Sequence, residues 1–209
     1  MSDTTVPSSP ITVRRATAHD LDEVTAVFAA AVWDEAVAAW MLPDEERRRA
    51  WGHATAFRRY LGAQIDDGAL VVAGGAQIAG VSVWSRVDGS DPDDDQGELM
   101  TTVRTIYGPY VDRFVTVMTA TAHAHPSEYP YLYLAQMAVL PRHRGRGLGS
   151  AMLRHGLRTA DDDGLATYLE ASTTRNRALY ARHGFVDYGP PIRLPDNGPS
   201  LQPMLREPA

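Results

Sequence analysis

The sequence predicts an α/β fold built as one domain, on three observations. Short apolar strand runs alternate with amphipathic helical runs along the chain, in the order β-α-α-β-β-α-β-α-β-α-β-β. Residues 131–161 place a strand, an Arg/Gly turn and a helix start in direct succession, with L-P-R-H-R-G-R-G-L-G-S running from Leu140 to Ser150. A chain of 209 residues is long enough for a sizeable α/β core without a second domain.

Met1–Pro10 is rich in Ser, Thr and Pro and is expected to be a flexible tail, leaving residues 11–209 as the domain. Ile11–Ala16 reads as the first strand. Thr17 then caps a helix with Asp20 in its first turn, and Leu21, Val24, Val27, Phe28, Ala31 and Val32 recur at helical spacing. Pro43 breaks that pattern. A second helix is expected from Asp44 to Ile65, with Trp51, Phe57 and Leu61 on its apolar side and Glu45 to Arg49 on a solvated face. Leu70–Ala73 and Ile78–Ser85 form a hairpin about Gly74-Gly75. Asp88–Gly97 is acidic but lacks the fixed glycine and terminal glutamate of a calcium loop, so it reads as a solvated loop. Glu98–Ala122 fits one or two helices. His123, His125 and Glu128 could mimic a metal site, but beside Pro126 they read as a polar loop, and no metal is expected. Tyr131–Leu140 is a strand, Leu148–Asp161 a helix and Thr167–Ala171 a strand. Arg175–His183 is a helix stopped by Gly184, and a closing hairpin pairs Phe185–Leu194 with Leu201–Arg206 across Pro195-Asp196-Asn197-Gly198.

Composition narrows the chemistry. The chain contains no cysteine and no lysine; all 20 basic residues are arginine. Disulfides, cysteine metal sites, a cysteine acyl-enzyme and Schiff-base chemistry are thereby removed. A net charge of −6 argues against non-specific nucleic-acid binding. No apolar run is long enough to span a membrane and no signal peptide is visible, so the expectation is a cytoplasmic protein without membrane partners. The basic residues that cluster are Arg142, Arg144, Arg146, Arg154 and Arg158, around the Arg/Gly turn and its helix.

A strand, a glycine-rich turn and a helix N-terminus form an anion site, because the first helical N–H groups lack partners and glycines let a ligand approach the backbone. A P-loop would need a lysine, and a dinucleotide loop a different glycine spacing than that of Gly145, Gly147 and Gly149. The pattern R-x-x-G-x-G, carried by Arg144, Gly147 and Gly149, resembles the acetyl-CoA loop of the GNAT superfamily of N-acetyltransferases. Downstream, L-Y-x-x-x-G-F from Leu179 to Phe185 resembles the second signature of that superfamily, and the two stand in its order. Within the superfamily, the C-terminal third is most similar to puromycin N-acetyltransferase-like proteins, through Tyr133–Ala135, Gly145–Ser150, Leu169–Ser172, Arg175-Asn176, Tyr180 and Leu194–Met204. The first 125 residues match only in general layout, and that half should choose the acceptor.

The resemblance implies a single GNAT-type domain: a mixed, twisted sheet of about seven strands with helices on both faces. It implies acetyl-CoA as co-substrate. Arg144, Gly145, Arg146, Gly147, Leu148, Gly149 and Ser150 would hold the pyrophosphate, and the main chain of Met137, Ala138 and Val139 would pair with the pantetheine amides. Tyr180 stands where the superfamily's general acid stands, and a phenol remains protonated at neutral pH. Asn176, one turn before Tyr180, would bind pantetheine or orient the phenol; the commoner pattern puts an asparagine at the place of Thr173. Glu170 is a candidate base, or else a structural carboxylate paired with Arg175 or capping the next helix. Trp33, Trp40, Tyr107 and Tyr110 are candidate acceptor contacts whose ordinary reading is core. The implied function is N-acetylation of a primary amine on a small molecule by direct attack on the thioester. A protein N-terminal acetyltransferase and a non-catalytic acyl-CoA sensor are the alternatives, and a homodimer is compatible with the resemblance.

Overall fold

The computed structural model describes residues 10–51, 55–89 and 96–209. Most of the expected tail (1–9), part of the acidic loop (90–95) and the middle of the expected second helix (52–54) lie outside the described residues.

Strand β1 (Thr12–Arg15) leads through a single 3-10 turn into α1 (Leu21–Val32). The Asp20 carboxylate accepts from the Thr17 amide at 2.8 Å and its hydroxyl at 2.9 Å, and holds Arg14 through two bonds of 2.7 and 2.8 Å. The helical segment after Pro43 is described as α3 (Glu45–Trp51) and α4 (Thr55–Asp66), and a six-residue helix that the periodicity did not separate, α2 (Ala36–Met41), precedes them. Next come β2 (Leu70–Gly74), β3 (Ile78–Val87), α5 (Gln96–Tyr107) and α6 (Val111–Ala124). Gly108-Pro109 divides the last two, because proline cannot supply the amide that would continue α5. The remainder is β4 (Tyr131–Val139), α7 (Leu148–Asp162), β5 (Ala166–Ala171), α8 (Thr174–Ala181), β6 (Val186–Asp187), β7 (Ile192–Arg193) and β8 (Ser200–Arg206).

The strands form one sheet in the order β1-β2-β3-β4-β5-β8-β6, with β7 also on β8. Neighbours are antiparallel except β4 and β5. Alternation along the strands sends side chains to two cores. Leu70, Val72, Val81 and Val83 pack with Val24, Phe28 and Leu61 of α1 and α4, whereas Val71, Trp84, Leu132 and Leu134 pack with Leu153, Leu157 and Ala160 of α7. Helices therefore cover both faces. Gly156 sits where α7 crosses Trp84: a Cβ there would lie 2.3 Å from the indole. The expected closing hairpin is corrected. Its first arm is two short strands interrupted by Gly189-Pro190-Pro191, since consecutive prolines cannot donate to a ladder. Its turn is as expected, with Asp196 and Asn197 both left-handed and the Gly198 amide donating to the Pro195 carbonyl at 2.9 Å. No described helix is long and apolar enough to cross a membrane.

Two irregularities open the sheet at its centre. Val83 faces Gln136 and Trp84 faces Leu134, leaving Ala135 as an extra residue that bends β4. Parallel pairing of β4 with β5 extends only over Tyr131–Tyr133 against Ala166–Tyr168. Beyond it β4 stays on β3 as far as Val139, and β5 stays on β8 as far as Ala171. The two strands part into a wedge whose inner edges lack strand partners.

Candidate active site

The Arg/Gly loop closes the wedge on the side where β4 ends. After β4 a 3-10 turn, Pro141–His143, lowers the chain onto Gly145 and Gly147, whose φ values of 78° and 87° are left-handed. Such angles suit glycine and strain other residues. Gly147 is the N-cap of α7 and no side chain caps that end. The amides of Leu148, Gly149 and Ser150 therefore have neither an intrahelical acceptor nor a capping group, and the dipole of a 15-residue helix adds positive potential to them. A Cβ on Gly149 would sit 3.3 Å from Leu179 and 3.7 Å from Met137, so glycine allows α7, α8 and β4 to converge. This geometry fits a pyrophosphate held by backbone amides.

The predicted residues divide within this loop. Arg146 is exposed, and the Arg144 guanidinium is turned toward α1. Arg144 donates to both Asp34 oxygens at 2.6 and 2.7 Å, to the Ala31 carbonyl at 2.9 Å and to the Val139 carbonyl at 3.1 Å. It thereby ties the loop to the segment between α1 and α2. Arg175, exposed on α8, brings its guanidinium within 3.8 Å of the Cβ position of Gly145 and faces the loop. Met137, Ala138 and Val139 form the β4 side of the wedge. Their side chains serve the core, with Ala138 buried and Met137 packed against both cores.

Tyr180 is buried on α8, its ring edge-on to Phe185 at 5.9 Å. Its hydroxyl has no hydrogen-bond partner among the described residues. Burial, then the charges of Glu35 and Glu170, push the phenol above its ordinary range, which keeps it protonated. Asn176 does not hydrogen-bond Tyr180. Its Nδ2 reaches Ser172 Oγ at 3.5 Å, and its amide donates to Thr173 Oγ1 at 3.1 Å, which makes Thr173 the cap of α8.

Glu170 lies on β5 with only 6% of its side chain exposed. The Tyr133 hydroxyl donates to Oε2 at 2.9 Å, while Oε1 is buried without a hydrogen bond and has His125 Nε2 at 3.5 Å. Burial pushes this carboxyl up to about 7, against the opposing effect of Tyr133 and Tyr168. Among the described residues Glu170 bonds Tyr133 and lies by His125 rather than pairing with Arg175, and Thr173, not Glu170, caps α8. A carboxyl poised near neutrality can accept a proton, and a phenol held neutral can donate one.

Sequence reasoning missed two further groups at the wedge. Glu35 Oε2 accepts from the Val37 and Ala38 amides, both at 2.9 Å, but Oε1 is buried without a partner, and its charge reaches Tyr180. Gln136, beside the bulge, also buries an unpartnered Oε1. An acidic residue just before an apolar hexamer is legible as a helix cap; its spare oxygen is visible only in three dimensions. Of the first-half aromatics, Trp33 lies under Arg48 and Arg49, Trp40 under Arg113, and Tyr107 is buried against Phe114. Tyr110 packs with Leu42, Val103 and Tyr107, and of the two tryptophans Trp40 buries an indole N–H without a hydrogen bond.

Comparison with known proteins agrees with this geometry. The sequence model of the Acetyltransferase (GNAT) family matches residues 25–185. A solved structure described as histone acetyltransferase HPA2 and related acetyltransferase, from Corynebacterium glutamicum, is 29% identical with a TM-score of 0.69, covering 95% of this chain and 97% of its own. Arylalkylamine N-acetyltransferase 2 of Aedes aegypti has a TM-score of 0.71 at 14% identity, covering 95% and 99% of the two chains. A polyamine N-acetyltransferase of Drosophila melanogaster, which forms N-acetylagmatine, has a TM-score of 0.67 at 18% identity, covering 95% and 100%.

Proposed function

The chain belongs to the GNAT acetyltransferase family, and we propose that within it the protein acetylates a primary amine on a small molecule, with Glu170 as base and Tyr180 as acid. Acetyl-CoA is its co-substrate, and the activity is that of an acyl-CoA-dependent N-acetyltransferase. The domain runs from residue 11 to residue 209. The observation that carries the reading is a buried carboxyl near neutrality on the β5 edge of the wedge, close enough to a buried neutral phenol, Tyr180, for its charge to act on it.

Bound acetyl-CoA supplies an activated carbonyl and a thiol leaving group. The uncapped amides of Leu148, Gly149 and Ser150 hold its pyrophosphate, and the unpaired edge of β4 lies alongside its pantetheine arm. Glu170 takes the proton that the amine must lose as its N–C bond forms. Tyr180 gives its hydroxyl proton to sulfur as the C–S bond breaks, and is reprotonated from solvent. Asn176, one turn before Tyr180 on α8, would bind the pantetheine arm. No covalent enzyme intermediate is needed, in keeping with a chain that has neither cysteine nor lysine.

The acceptor is read from the unpartnered oxygens around the wedge. Glu35 and Gln136 each offer a buried, unpartnered oxygen, and Glu170 adds a second carboxyl. Unpaired acceptor oxygens favour a ligand rich in N–H donors and cationic at neutral pH. Amines of the agmatine and polyamine kind, the acceptors named for two structural neighbours, have this character. The likeness of the C-terminal third to puromycin N-acetyltransferase-like proteins supports the reaction and leaves puromycin itself as one member of the test panel.

The test is free-thiol release from acetyl-CoA across agmatine, putrescine, tryptamine, puromycin, an aminoglycoside and short peptides. The absence of cysteine keeps the enzyme's own thiol signal at zero. Turnover of a small amine, with peptides inert, is the expected result. Turnover confined to peptides would replace the small-molecule reading with that of a protein N-terminal acetyltransferase.

A further inference from the structure

Glu170, as the proposed base, poses a problem of proton removal. Its side chain is 6% exposed, and each turnover would leave a proton on it. The surrounding hydroxyls offer no exit. Tyr133 and Tyr168 are pushed far above their ordinary range by burial and by the Glu170 charge, and Tyr131 is pushed up to about 12, so none of the three changes protonation state near neutrality. The Tyr168 hydroxyl is also committed to the Ala124 carbonyl at 3.1 Å.

One imidazole bridges this pocket to solvent. His125, at the C-terminal end of α6, places Nε2 3.5 Å from Glu170 Oε1, the oxygen without a hydrogen bond. Its Nδ1 lies 2.6 Å from the Tyr131 hydroxyl, which fixes the ring plane. The ring packs on Tyr133 at 4.6 Å and Tyr168 at 4.8 Å between centroids, and its side chain is 20% exposed. The titratable groups facing it are Tyr131 and Tyr133 from β4 and Tyr168 and Glu170 from β5. Tyr188 packs behind Tyr168 at 6.0 Å.

We propose that His125 relays protons between Glu170 and solvent, acting through Glu170 and never touching the acceptor. The starting tautomer carries its proton on Nδ1, donated to the Tyr131 oxygen, and presents the Nε2 lone pair to Glu170. After Glu170 has taken a proton from the acceptor nitrogen, the O–H bond at Oε1 breaks and an N–H bond forms at Nε2. The carboxylate is regenerated, and the imidazolium passes one proton to water, which restores neutral imidazole. Burial lowers the basicity of His125, so it does not retain that proton near neutral pH. The 3.5 Å separation shortens as the pair shares a proton, as catalytic contacts do on substrate binding.

The inference rests on Glu170 as the base, and two measurements separate the ideas. In the first, the histidine ring nitrogens of the intact protein are titrated by NMR, with no acceptor present. Burial keeps His125 below its ordinary range, so its ring should be neutral at about pH 7 and above, free to accept the proton from Glu170. A ring still protonated at about pH 8 would overturn the relay.

In the second, thiol release is measured with the most active of agmatine, putrescine, tryptamine and puromycin. His125→Ala should lower kcat by about tenfold or more, with acetyl-CoA binding by calorimetry unchanged. Added imidazole should restore kcat in His125→Ala, leave Glu170→Gln unrescued, and not affect the parent enzyme. His125→Gln, which fills the space without a titrating group, should be slow and unrescued. Full activity in His125→Ala beside an inactive Glu170→Gln would refute the relay and leave the base standing. Full activity in Glu170→Gln would refute both.

Discussion

Replacing Glu170 by glutamine should make the protein more stable at alkaline pH and nearly inactive, and the size of the gain follows from its burial. The folded-state carboxyl is raised from the ordinary 4.5 to about 7, chiefly by desolvation. A raised acid binds its proton more tightly in the folded chain than in the unfolded one. Below the unfolded value both states are protonated and nothing is lost. As pH rises through the window between the two values, the unfolded chain ionises first and stability falls. Above the folded value the full penalty applies, about 3 kcal/mol for a shift of this size. Glutamine carries no charge and keeps an oxygen for the Tyr133 hydroxyl, so it removes the penalty without orphaning that donor. For a chain of this length, ~2–4 °C per kcal/mol gives a rise in Tm of about 6–12 °C at pH 8.5, shrinking toward zero at pH 5. Differential scanning calorimetry at the two pH values, at fixed ionic strength, measures it. Equal Tm differences at both would show that the carboxyl does not bear the cost of burial, and the argument from poised basicity would fail with it. The same titration sets activity: kcat/KM of the parent enzyme should rise with pH through about 7, as Glu170 loses its proton.

Tyr180→Phe keeps the ring against Phe185 and removes only the proton donor, so kcat should fall severalfold to a few hundredfold with acetyl-CoA affinity unchanged; an unchanged kcat, with chemistry shown to limit the rate, would exclude the phenol as acid. Gly147→Glu puts a carboxylate and a strained left-handed φ at the cap of α7, and should abolish acetyl-CoA binding by calorimetry; normal binding would refute the loop assignment. Gly156→Ala adds a methyl 2.3 Å from Trp84 and should destabilise by about 1–3 kcal/mol in urea unfolding, although alanine is the better helix former; a more stable variant would mean that α7 moves off the sheet at no cost.

What could be read from the chain depended on how far apart the cooperating residues lie. The apolar stripe of α7, the uncapped glycine before it and the left-handed turn at Asp196-Asn197 are local features, and each was legible because its cause lies within a few residues. The wedge was not legible from the residues alone. It arises because Tyr133 finds Tyr168 on a distant strand and the pairing then stops, while an extra residue at Ala135 bends β4. Register between remote strands is set by packing on both faces, which no local pattern records. The same limit hid Glu35 and His125. One lies in the break between α1 and α2, the other just past α6, and each acquires its role only from the strand it is folded against. Arg144 shows the converse. The motif identifies it as part of an anion loop, yet its guanidinium is occupied by Asp34 and by carbonyls of Ala31 and Val139, so its contribution is to hold the loop and the α1–α2 segment together.

That tie explains why the polar groups of the wedge can stay unsatisfied. Glu35, Gln136 and Glu170 each bury an atom without a hydrogen bond, and each such atom costs about 1–3 kcal/mol relative to a paired one. A loose segment would relax to satisfy them, either by turning Glu35 fully onto the helix it caps or by closing β4 onto β5. Arg144 restrains the first movement by holding Asp34, the neighbour of Glu35. The bulge at Ala135 prevents the second by bending β4 away. The energy left unrecovered in the free protein becomes available to whatever completes the network, and an interaction made only as the reaction proceeds accelerates it. On this argument Asp34→Ala should raise KM for the amine more than KM for acetyl-CoA, because it frees the acceptor side of the wedge and leaves the α7 amides in place. Equal effects on the two would show that the ion pair serves the loop alone.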